Sequence, residues 1–144
     1  MFVVLAEMGD KTQLLAMAFA EKQPDAALER IKRQIALVPD SPQLYYELGR
    51  VHTERKEADL AESAYLKALK LDPRMFGAYL KLANLYAALG KYDQALARLD
   101  EALRLNPKDL PALMVSGMIY QQKGETAKAQ QAYERALAVD PRFA

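Results

Sequence analysis

The chain holds 144 residues with 20 Lys and Arg against 19 Asp and Glu, and this formal charge of +1 leaves no excess for gripping a nucleic-acid backbone. It has no Cys and one His, which excludes disulfides, Cys-ligated metals and thiol chemistry, and with them most zinc, haem and triad arrangements. Ala (25) and Leu (22) far outnumber Val, Ile and Thr together (12), so helix formers dominate and an all-α fold is expected.

Residues 2–20 open the chain with two apolar blocks around Glu7-Met8-Gly9-Asp10-Lys11-Thr12. No basic residue precedes the apolar run, so it does not read as a secretory signal, and no stretch of 18 uninterrupted apolar residues occurs. The E-x-G-D-[KR]-[ST] pattern resembles the first membrane helix of a family of cation/proton exchangers that export manganese or calcium. The resemblance implies Glu7 and Asp10 as carboxylate ligands for a hard cation, Thr12 as a further oxygen and Gly9 as a close-packing point. A lone helix carrying Glu7, Asp10 and Lys11 at mid-span would face roughly 2.5–3.5 kcal/mol per charge, against a few tenths gained per apolar residue. The segment, over 1–21, is therefore expected to be a helix of different origin that packs on 24–38. Membrane association with a cation site at Glu7 and Asp10 is the alternative.

Residues 24–38 read as the next helix, within a segment 22–41 that contains Pro39, and their phase recurs down the chain. Prolines stand at Pro39, Pro73, Pro107 and Pro141, each 34 residues apart. Ala27, Ala61, Ala95 and Ala129 lie twelve residues before them, and Ile35, Leu69, Leu103 and Leu137 four before. Gly49, Ala83 and Gly117 form a small-residue column, followed three residues later by His52, Tyr86 and Tyr120. Such a fixed period is the mark of a stacked repeat.

Each 34-residue unit carries two amphipathic stretches joined by a short break, as in Tyr79 to Leu89, Gly90-Lys91, and Tyr92 to Leu105. Asp72-Pro73, Asn106-Pro107 and Asp140-Pro141 close the second helix, because a residue before Pro is biased away from helix. The small column marks where the two helices of a hairpin approach closely. Lys56 occupies the inter-helix turn where later units have Gly90 and Gly124, so a less well-formed turn is expected there.

These columns resemble the tetratricopeptide repeat (TPR) family over residues 22–143, with full repeats at 42–75, 76–109 and 110–144 and half a repeat ahead of them. Tyr45, Tyr79 and Leu113 stand where the family often has Trp. The resemblance implies a right-handed α-solenoid of antiparallel hairpins whose first helices line a concave groove, and a protein or peptide partner rather than a reaction. It also implies which positions face that groove: Gln43, Tyr46, Glu47, Arg50, Thr53 and Glu54 in the first repeat. The second presents Gly77, Leu80, Lys81, Asn84, Ala87 and Ala88, and the third Pro111, Met114, Val115, Met118, Gln121 and Gln122. The groove then runs from charged to apolar, with Arg50 and Asn84 facing a peptide backbone and Leu80, Met114 and Met118 its side chains. Tyr46, Lys81 and Gln121 complete the candidate site. Asn at a mid-helix position has poor helix propensity and offers both donor and acceptor. The carboxylate clamp that holds chaperone tails is not matched, since Tyr46, Arg50, Pro111 and Val115 stand at its key positions.

His52 is expected to fill space in its Tyr column, and Glu54, Glu57, Asp59 and Glu62 to be solvated charges about a turn. Lys67, Lys70 and Arg74 sit near a helix C-terminus, where cations are favourable. No phosphate loop, nucleophile elbow or metal-ligand spacing occurs, so neither an enzyme nor a cofactor is expected. Solenoids usually finish in a polar capping helix, whereas this sequence ends Pro141-Arg142-Phe143-Ala144. Self-association through that end, or membership of a longer array, is the corresponding expectation, together with a cytoplasmic location.

Overall fold

The computed structural model describes residues 11–15 and 24–143. Residues 11–15 are helical, with Leu14 and Leu15 exposed. The rest of the expected N-terminal helix, including Glu7 and Asp10, lies outside the described residues, as does its expected packing on 24–38.

Seven α-helices follow: α1 (Pro24–Leu37), α2 (Pro42–Glu54), α3 (Ala58–Leu71), α4 (Phe76–Ala88), α5 (Tyr92–Leu105), α6 (Leu110–Gln122) and α7 (Thr126–Val139), with a closing 3-10 turn at Pro141–Phe143. The hairpins α2/α3, α4/α5 and α6/α7 make the most extensive contacts, each is joined to the next through α3/α4 or α5/α6, and α1 covers α2. Every unit therefore touches only its neighbours, which makes the array an all-α solenoid. Among the described residues no helix is long and apolar enough to cross a membrane.

The periodic columns become the core. Ala61, Ala95, Ala129 and their partners Ala68, Ala102 and Ala136 are buried, and Tyr65, Leu82, Leu99 and Leu113 are the largest side chains fully enclosed. One continuous apolar cluster runs from Ala61 to Ala136, and a smaller one of Leu28, Ile31 and Val51 attaches α1. The second helices stop where the Asx-Pro pairs predict: Asp72, Asn106 and Asp140 are extended, and each side chain accepts the backbone N–H two residues on, at 3.0, 3.2 and 3.1 Å. These Asx turns satisfy donors that the chain exposes as it leaves the helix. Tyr79, in the Trp column, is buried and donates its hydroxyl to Pro73 O at 3.0 Å, so it clasps the loop before its own helix.

The expectation for the first inter-helix turn is corrected. Lys56 takes the same left-handed backbone (φ 61°) as Gly90 (73°) and Gly124 (78°). Its turn closes with the same bonds, Lys56 N to Thr53 O at 3.0 Å and Glu57 N to His52 O at 2.9 Å, as the later turns do through Lys91 N to Tyr86 O (2.8 Å) and Glu125 N to Tyr120 O (2.9 Å). Packing of the hairpin imposes the geometry, and Lys bears the steric cost. Lys56→Gly is accordingly expected to raise stability by about 0.5–1 kcal/mol, read as a higher urea midpoint at constant slope; an unchanged or lower midpoint would show that the turn is unstrained.

Candidate functional site

The first helices α2, α4 and α6 stand side by side, with α4 and α6 in direct contact and Tyr46 of α2 lying over Gly77 of α4. A Cβ added at Gly77 would sit 3.4 Å from Tyr46 Oη, an ordinary contact, so the tyrosine reaches the next repeat without needing glycine there. None of the eight candidate side chains is buried. Tyr46 is half-buried, its ring 5.9 Å from that of Tyr65 at 60°. Leu80 and Met114, at equivalent positions of adjacent repeats, are half-buried against the core.

Arg50, Asn84 and Met118 form the next equivalent row, and all three are exposed, Met118 by 52%. Arg50 is paired with Glu47 at 2.9 Å, so that end of the row presents a neutralised ion pair rather than a free cation. Asn84 makes no side-chain hydrogen bond among the described residues, and neither does Lys81 one turn before it. Gln121 is exposed and accepts from the Tyr133 hydroxyl at 3.2 Å. Thr53 is exposed and donates its hydroxyl to Gly49 O of its own helix at 2.8 Å.

Beside the row, Thr53 and Ala88 border an apolar depression of about 260 Å³ whose other walls include Leu85 and Leu89. The sequence reading missed Leu85 and Leu89, because it took the groove positions of each helix separately and this hollow exists only where two repeats meet. Its signal was present in Leu89, an apolar residue at a helix end that is half exposed.

Two tetratricopeptide repeat family profiles match the chain, over residues 18–75 and 74–142. The chain belongs to the tetratricopeptide repeat family. Among solved structures it is similar to MamA, with 26% identity over 85% of this chain and 71% of that one at a TM-score of 0.76. It is also similar to TTC0263, a thermophilic TPR protein of Thermus thermophilus, with 28% identity over 90% of this chain and 72% of that one at a TM-score of 0.69. No curated protein matches the sequence.

Beside the apolar core, a set of polar ties crosses the repeat junctions of the TPR array. Asp25 at the start of α1 pairs with Arg55 in the turn after α2, and two repeats on Asp93 pairs with Lys123 at 2.7 Å. Both pairs are spaced 30 residues apart at equivalent positions. Between them the column offers Asp59 and Leu89, which cannot pair, and there Tyr86 instead donates to Glu62 at 2.6 Å across α3 and α4. Burial, then that bond to a carboxylate, pushes the Tyr86 hydroxyl up to about 12. The bonds from Lys123 and Lys128 hold the Glu125 carboxyl down at about 2.

Two of the expected solvated carboxylates are thus structural. Glu62 receives Tyr86, and Glu57 joins the buried His52 (Nδ1, 2.8 Å) to Arg55 (Nε, 2.6 Å), bonds that hold its carboxyl below the usual carboxylate pKa. His52 does fill its Tyr column, but with a charge-linked partner. Lys67, expected to be a solvated cation, lies over the Tyr45 ring at 5.7 Å. Among the described residues no group of three or more His, Asp or Glu could hold a metal ion.

Proposed function

We propose that this TPR array is a protein-interaction scaffold that holds an extended peptide or protein segment along α2, α4 and α6. The observation that carries the reading is Asn84: a mid-helix Asn, exposed between Arg50 and Met118 in the equivalent row, whose side chain makes no hydrogen bond among the described residues. An amide so placed pairs with a peptide backbone in both directions. Leu80, Met114 and Met118 supply an apolar floor on either side, and Met adapts to varied side chains. The hollow at Leu85 and Leu89 is the size of one large apolar side chain, which would anchor the segment. The Arg50–Glu47 pair makes this end polar without net charge, which disfavours a simple acidic tail as the ligand.

The test is the double replacement of Asn84 and Met118 by Ala, with affinity measured for the partner that co-purifies with the wild-type chain. A hydrogen bond and a partly exposed Met together are expected to be worth about tenfold or more in Kd, since about 1.4 kcal/mol is a factor of ten. Unchanged affinity with unchanged helicity rejects the groove.

A further inference from the structure

The junction between the second and third repeats is hollow where the preceding junction is filled. At the first of these junctions Tyr79 and Leu82 of α4 are buried, and Arg98 of α5 pairs with Glu101 at 3.2 Å. One repeat later the four equivalent positions carry Leu113, Ser116, Ala132 and Arg135. Three of the four changes shorten the side chain, and the fourth replaces the acid by a base. The space they vacate is a half-enclosed pocket of about 270 Å³ between α5, α6 and α7.

Its floor is Leu103, Leu113, Ser116 and Ala132, all buried. The Ser116 hydroxyl donates to Ala112 O at 2.8 Å, so it is satisfied as a donor within its own helix and leaves the floor apolar in character. At the mouth stands Arg135, which also lines an adjoining depression of about 250 Å³ with Arg104. Among the described residues neither guanidinium has an ion-pair partner. Asp100 borders both hollows as well, so the one carboxylate stands against Arg135 at the pocket itself and against Arg104 in the adjoining depression, where the bases exceed the acid by one. Lys128, on the same rim, is balanced by Glu125 at 2.8 Å. Leu113, Ser116 and Tyr120 lie on the side of α6 opposite Met114, Met118 and Gln121, because 3.6 residues make a turn, so this pocket and the groove share no residue.

We propose that this pocket is a second binding site, for a small apolar carboxylate of about amino-acid size. Its body rests on Leu103, Leu113 and Ala132, and its carboxylate meets Arg135, whose planar guanidinium suits it, on the side that opens to the adjoining depression bordered by Arg104. An apolar cavity of this size takes one ring or branched chain, and Arg135, with no ion-pair partner among the described residues, selects the charge.

The experiment uses the full chain and 3-phenylpropionate as the probe, followed by methyl NMR. Saturable shifts at millimolar ligand, concentrated on Leu103, Leu113 and Ala132, are expected. Ser116→Leu restores the residue of the preceding junction; it is expected to abolish those shifts and to raise the thermal midpoint. Ala132→Arg, which copies the cover given by Arg98, serves the same purpose should Ser116→Leu not fold. Arg135→Glu is expected to weaken binding at least tenfold without loss of fold, and 3-phenylpropionamide to bind at least tenfold more weakly than the acid. No saturable shift with the wild-type chain, or shifts that survive both filling substitutions, overturns the site. Equal affinity for acid and amide overturns the carboxylate.

Discussion

Leu82→Ala is expected to destabilise the array by about 2–5 kcal/mol, the range found when a fully enclosed Leu is cut back to its Cβ. Leu82 is 0% exposed, in the first helix of the middle repeat, within the cluster that includes Tyr65 and Leu69 of the repeat before and Leu99 and Leu103 of its own. Position in a solenoid sharpens the effect. A repeat is held by its own hairpin and its two neighbours alone, so a defect in the middle unit weakens two interfaces, whereas one at an end weakens one. Against a total stability of about 5–15 kcal/mol for an ordinary domain the loss is large. Equilibrium urea unfolding gives the number, and Met118→Ala, on a half-exposed side chain of the groove, is the control expected within about 0.5 kcal/mol. Equal effects of the two would mean that the core does not run through Leu82.

Gly49→Ala is the second large effect, and its comparison with Gly117→Ala isolates the cause. An added Cβ at Gly49 would lie 2.5 Å from Tyr65 Cε1, and at Gly117 also 2.5 Å from Tyr133 Cε1. Tyr65 is 1% exposed, with its hydroxyl 3.3 Å from Thr53 Oγ1 and its ring against Tyr46, so it cannot retreat. Tyr133 is half-buried and bonded only to an exposed Gln121, so its ring can swing outward. Helix propensity favours Ala over Gly by about 1 kcal/mol in both cases, while overpacking a rigid site costs about 1–3 kcal/mol. Gly49→Ala is thus expected to lower stability by about 1–2 kcal/mol and Gly117→Ala to leave it within about 0.5 kcal/mol. The middle repeat supplies the remedy: at the equivalent positions it carries Ala83 and Leu99, both fully buried in one cluster, instead of Gly and Tyr. Tyr65→Leu in the Gly49→Ala background is therefore expected to recover part of the loss, and additive effects in that double-mutant cycle would show that the two residues do not meet.

This pairing marks how far the repeat could be read without coordinates. Gly49, Ala83 and Gly117 were visible as a small column because size varies little along it. Their partners Tyr65, Leu99 and Tyr133 carry no common type, and only the structure shows that each small residue is matched to the bulk it faces. The same holds for the polar ties. Asp25 with Arg55 and Asp93 with Lys123 repeat a spacing of 30 residues. That regularity was in the sequence, but Asp59 and Leu89 interrupt it, and nothing local to Tyr86 or Glu62 announces that they close the gap. Glu62 is a solvated charge in appearance for this reason: its partner hydroxyl arrives 24 residues on, from another helix, whereas Glu57 meets His52 and Arg55 within its own turn.

Lys56 failed in the other direction. Propensity argued for a loose turn, yet the tertiary packing of α2 on α3 holds Lys56 in the left-handed region with the full set of turn bonds. Intrinsic preferences of about 1 kcal/mol yield to an interface in which the buried Gly49 of α2 lies against the buried Tyr65 of α3.

The sequence by itself determined the period, the helix boundaries set by Asx-Pro pairs and the all-α class. All of these follow from residue type recurring at a fixed interval, because a solenoid repeats its local environment every 34 residues. The tertiary structure alone decided what differs from one junction to the next: which small residue faces which ring, which acid meets which donor, and where Ser116 and Ala132 leave space that Leu82 and Arg98 occupy one repeat earlier. Those features depend on side chains brought together from separate helices, so no window along the chain contains them.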